Sequence, residues 1–94
     1  MHILRIEHRV TDYDRWKQVF DSDPADRRGS GVRGYRVMRP VDDPDFVQID
    51  LDFDSAEAAE AMQQKLLSLW AGPGKAVMVE PQARIVEAVE VRTL

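Results

Sequence analysis

The segment RIEHRVTDYDRWKQVFD, residues Arg5 to Asp21, carries the chain's best candidate for acid–base chemistry. His8 stands in a period-two row with Leu4, Ile6 and Val10, the pattern of one strand face. A free imidazole titrates near ~6.5. His8 therefore has two readings: a general base or ligand donor at a pocket mouth, or a core ring packed on Trp16 with one nitrogen bonded to backbone. His2 shares the row but lies roughly 20 Å away at ~3.3 Å per residue, so the two histidines cannot chelate one ion. Asp42, Asp43 and Asp45 lack the ligand ladder and closing glutamate of a calcium loop. No metal and no cofactor is expected.

Other chemistries have little to stand on. The chain has no cysteine, which removes thiolate nucleophiles, thiolate metal sites and disulfides. Ser22, Ser30, Ser55 and Ser68 fall at caps, turns or within a helix, without a nucleophile-elbow motif. GSGVRG precedes a strand and not a helix, so it is no phosphate loop. The net charge of −4 gives no broad attraction to nucleic acid or anionic lipid. No stretch approaches the ~20 apolar residues of a membrane span, and the start lacks a signal-peptide layout, so a cytoplasmic location is expected.

The elements that must position His8 are legible. His2 to Val10 alternates as a strand, with Ile3, Arg5, Glu7 and Arg9 on the opposite face. Thr11 or Asp12 caps a helix whose Tyr13, Trp16, Val19 and Phe20 share a side. Asp23-Pro24 predicts a kink and a short second helical piece through Arg28, ended by Gly29 and Gly31. VRGYRVMRP and DFVQIDLDF predict a strand pair joined by VDDP, with Val47, Ile49, Leu51 and Phe53 on one face. Tyr35 and Val37 join that apolar side, and Arg36 lies opposite Asp50 or Gln48. Asp54 or Ser55 caps a second helix with Ala59, Met62, Leu66 and Leu69 or Trp70 as its buried stripe; GPG at 72–74 ends it. KAVMVE, 75–80, fits a short strand or an extended loop. Gln82 to Arg92 reads as the last strand, apolar on both sides.

Eight acids and no base lie between Pro40 and Gln64, whereas Arg27 to Arg39 holds five arginines. The simplest meaning is a hairpin whose strands complement each other in charge. The order strand-helix-strand-strand-helix-strand predicts one α+β domain over residues 1–94. Its four-stranded antiparallel sheet carries both helices on one face.

HRVTDYDRWKQVFD, followed by GVRGYRVMRPVDDPDFVQIDLDFDSAEAAEAM, resembles the dimeric α/β-barrel (ferredoxin-like) superfamily. More narrowly it is similar to small bacterial proteins near the antibiotic-biosynthesis monooxygenase domain, some loosely labelled cyclases. The resemblance implies a homodimer, with two sheets facing each other as a barrel and a small hydrophobic ligand held between helices and sheet. Trp16, Tyr35, Met62 and Trp70 are the expected pocket residues, with His8 as catalytic candidate. Cofactor-free oxygenases of that group resemble pockets of asparagine, tryptophan and arginine or histidine, and the haem-degrading branch also uses asparagine. This chain contains no asparagine, and Gln48 is on the wrong strand face to replace it. Three functions follow: proton transfer on a hydrophobic or aromatic metabolite, cofactor-independent monooxygenation, or a non-enzymatic dimeric binding module.

Overall fold

In a computed structural model describing residues 1–72 and 78–94, the elements are β1 (His2–Arg9), α1 (Tyr13–Asp21), β2 (Gly34–Met38), β3 (Phe46–Phe53), α2 (Ala56–Trp70) and β4 (Val79–Glu87). The sheet is antiparallel, in the order β2-β3-β1-β4. This is the ferredoxin-like βαββαβ arrangement. The two cleanest alternators, β1 and β3, are central. Their apolar rows, Leu4, Ile6 and Val10 with Val47, Ile49, Leu51 and Phe53, form the core with Trp16 of α1 and Ala59 and Met62 of α2. Each Val, Leu, Ile, Phe or Met side chain among them contributes about 1.5–3 kcal/mol on burial.

The caps follow from side chains with oxygens at the right offset. Asp12 accepts from the Arg15 backbone N–H to start α1, and Ser55 accepts from that of Ala58 to start α2. Asp54, the alternative cap, instead pairs with Arg33 at 2.7 Å. Gln63 of α2 donates to the Ala83 carbonyl at 3.0 Å, fastening the helix over β4.

Two sequence expectations need correction. The second helical piece is absent: α1 stops at Asp21 and the chain proceeds through turns. Asp23 and Asp26 take left-handed φ values of 56° and 50°. Their carboxylates accept from the Arg27 and Gly29 backbone N–H groups, replacing the helical ladder with local bonds. Gly31, at φ 93°, closes this loop against Phe53 and Ala58, where a side chain would be strained.

The last strand is shifted. It begins at Val79, opposite Arg9, and ends at Glu87, opposite His2. It covers the full span of β1 and no more, because β1 has no backbone left to pair beyond His2 except the Met1 carbonyl, which accepts from Ala88. Val89 and Val91, read from sequence as strand residues, are 88% and 85% exposed. GPG and KAVMVE fall largely on residues 73–77, outside the described residues; Met78 precedes β4 and Val79–Glu80 open it.

The reverse face holds the charge complement read from the sequence, in a tighter form than an exposed pair. Asp50 is only 1% exposed. It accepts from Arg5 Nε and Nη2, both at 2.9 Å, and from Arg36 Nη2 at 3.0 Å. These bonds, that of Arg5 foremost, hold its carboxyl below the usual carboxylate range despite burial. Arg36 also lies 3.8 Å from Asp52, and Arg9 pairs with Asp43.

Candidate functional site

The site begins with an irregularity in the ladder. Glu7 pairs with Gln82 and Arg9 with Val79, so Glu80 and Pro81 together oppose His8. This is a β-bulge, with Glu80 at φ 51° and Pro81 lacking a backbone donor. It interrupts the edge pairing beside the one histidine on the helix-facing row of the sheet's middle.

His8 is buried, and its Nδ1 lies 3.1 Å from the Arg9 carbonyl oxygen. A carbonyl only accepts, so Nδ1 carries the proton in the neutral ring and Nε2 keeps its lone pair. Nε2 has no hydrogen-bond partner among the described residues. Trp16 meets the imidazole edge-on, with centroids 5.5 Å apart, and Phe20 stacks on Trp16 at 5.3 Å. Burial pushes the His8 pKa down, and the Arg9 carbonyl bond offsets this in part.

Nε2 is therefore the nitrogen available for chemistry, and His8 lines a cavity of about 380 Å³. Sheet residues Ile6, His8, Ile49 and Leu51 form the floor. Trp16 and Phe20 of α1 stand on one side, and Met62, Leu66, Leu69 and Trp70 of α2 on the other. Pro24, Ala25 and Arg27 of the turn-rich loop close an end. That loop is tied to α2 through the Ala25 carbonyl, which accepts from Lys65 Nζ and from Ser30 Oγ, both at 2.9 Å. A cavity of this size, mostly apolar with few polar groups, suits a molecule of two or three fused rings.

Of the residues singled out from sequence, His8, Trp16, Met62 and Trp70 are in the wall of this cavity. Tyr35 is not. It shares the helix-facing row through its pairing with Leu51, but β2 is an edge strand and Tyr35 is 47% exposed. Phe20 and Arg27 lie against its ring, at 5.3 Å and 4.9 Å, and it is they that reach the cavity. Arg27 was missed from sequence because it belonged to an expected helix.

Neither a family model nor a curated protein matches the chain. Solved structures do. SnoaB of Streptomyces nogalater, a cofactor-independent oxygenase, superposes with a TM-score of 0.77 over 96% of this chain and 94% of its own, at 13% identity. The fold is the ferredoxin-like one of these oxygenase-type proteins. A second ferredoxin-like neighbour is MhuD, in a variant with two manganese protoporphyrin IX molecules per active site, at TM-score 0.75, 15% identity and 99% of both chains. A third, from an uncultured marine organism, is a dimeric ferredoxin-like protein at TM-score 0.67, 8% identity and full coverage of both chains. No helix among the described residues is long and apolar enough to cross a membrane.

The lowered His8 pKa has a consequence for stability. The unfolded chain takes up the proton near ~6.5, before the fold does, so stability falls as pH drops below that value. The loss grows until the lower folded pKa is passed. His8→Gln, whose amide can still donate to the Arg9 carbonyl, is expected to flatten the urea midpoint between about pH 7 and 5 relative to the parent. Equal slopes in both proteins would show that His8 is not the titrating group. The Asp50 contribution is separable: it is full above about pH 4 and is lost only at lower pH.

Proposed function

We propose that this protein is a homodimeric binding protein for a small, flat, hydrophobic molecule, on which His8 performs proton transfer. One observation carries the reading: His8 lines an apolar cavity, and its Nδ1 lies on a backbone carbonyl, which leaves Nε2 as the basic nitrogen of the neutral ring. Burial keeps the base neutral at physiological pH, and the dry surroundings strengthen its hydrogen bond to an acidic C–H or O–H. The Arg9 carbonyl stabilises the imidazolium that forms after transfer.

The dimer rests on the sheet's uncovered face, where Arg5 and Arg36 lie half-exposed over Asp50, and on the exposed apolar tail of Val89, Val91 and Leu94. A second copy offers the same mixed charges in a self-complementary arrangement. The dimeric marine neighbour of the same fold supports this.

Both tryptophans of the chain line the cavity, so intrinsic fluorescence reports on it directly. Hydroxynaphthalenes and related fused-ring compounds are expected to quench this emission with saturation at one ligand per chain. Native mass spectrometry is expected to show twice the 10.8 kDa chain mass. No saturable quenching across such a panel defeats the ligand reading; a monomer at micromolar concentration defeats the dimer.

Cofactor-independent monooxygenation is the second reading, favoured by the likeness to SnoaB. It shares the first step, removal of an acidic proton by His8. Oxygen consumption with a dihydroxy-aromatic substrate separates the two.

A further inference from the structure

Among the described residues the cavity has one charged residue in its wall, and it is not His8. The Arg27 side chain is only 15% exposed and borders the cavity near the end of α1. Its guanidinium lies over the Phe20 ring, 3.9 Å from Cζ to centroid, and 4.9 Å from the Tyr35 centroid. Nη1 donates to the Phe20 carbonyl at 2.8 Å, and Nε lies 3.5 Å from Asp23 Oδ1, beyond a good hydrogen bond. Nη2 has no acceptor among the described residues. Asp23 meets its charge only loosely, so donors remain for a ligand to satisfy. Two aromatic rings and a backbone carbonyl hold its plane, so the free edge is already oriented.

Position supplies the rest. Arg27 stacks on Tyr35, which pairs through Leu51 with the row of Leu4. His8 pairs with Val47, four residues further along β1. The rows are ~13 Å apart at ~3.3 Å per residue, a span that side chains from both ends shorten.

We propose that Arg27 is the specificity-determining residue, and that the ligand is an elongated aromatic acid: carboxylate at Arg27, a weakly acidic group at His8, ring system between. This rests on the cavity's being a ligand site, as proposed above. Charge-assisted hydrogen bonds from a planar guanidinium, inside an apolar wall, favour the anion over its uncharged ester.

The test uses 6-hydroxy-2-naphthoic acid and its methyl ester, titrated into the intact protein at pH 7.5 with tryptophan emission as readout. The acid is expected to bind about tenfold or more tightly than the ester. Arg27→Met is expected to erase that preference, the acid losing about tenfold more affinity than the ester. Arg27→Lys keeps charge and stem packing but not the fork, and is expected to give an intermediate ratio. It also serves if Arg27→Met does not fold. Ester binding with no gain for the acid in the parent overturns the Arg27 assignment and spares the cavity. Equal loss of acid and ester binding in both variants also overturns it, by reducing Arg27 to a support for α1. Binding of neither compound removes the cavity reading and this one together.

Discussion

Phe53→Ala is expected to cost about 3–5 kcal/mol of folding free energy. Phe53 is fully buried at the end of β3, opposite His2, where the Gly31 turn and Ala58 of α2 close over it. Truncation removes a ring from a place that cannot collapse. The backbone on one side is a sheet centre, and on the other it is a glycine at φ 93° whose geometry is fixed. A domain of 94 residues has on the order of 5–14 kcal/mol in total, so a large share would go. The measurement is a urea titration at fixed protein concentration, because a dimer's stability depends on it. The midpoint should fall with the slope unchanged. A loss below about 1 kcal/mol would mean that the loop before β2 does not pack on Phe53 as described.

The second large effect concerns His8. 5-Nitrobenzisoxazole is a flat, uncharged bicycle whose ring opens when a base removes its C–H proton, releasing a coloured phenolate. A neutral imidazole in an apolar cavity is suited to that task, whatever the natural ligand. The protein is expected to accelerate the opening, and His8→Gln to reduce the protein-dependent rate by about 10²–10⁴-fold. Because burial lowers the His8 pKa, the rate should stay on its plateau through pH 6.5 and fall only at more acidic pH, with His8 protonated. Equal rates in parent and variant would remove His8 as a base. Saturable ligand binding in the same preparations would then leave a binding module, the third function drawn from sequence.

Local pattern carried much of this architecture. Period two in His2–Arg9 and Phe46–Phe53 put Leu4, Ile6, His8, Val47 and Ile49 on one face, because adjacent Cβ atoms in a strand point oppositely. The same alternation put Arg36 on the face of Asp50 and Gln48, and the strand register chose Asp50. Helical spacing brought Trp16 and Met62 to the core, and the end of α2 left Trp70 at the cavity. These features depend on a few neighbours along the chain, which a sequence displays.

Other features depend on partners far away, and only the folded chain fixed them. The span of β4 and the bulge opposite His8 follow from where β1 starts and stops. Asp50 is buried because Arg5 and Arg36, 45 and 14 residues distant, close over it from neighbouring strands. Arg27 reached the cavity because two left-handed aspartates diverted an expected helix into a loop, and Tyr35 did not because β2 is an edge strand. Hydrogen-bond register and side-chain-to-backbone turns are settled by competition among whole-chain alternatives, and no local periodicity encodes the outcome.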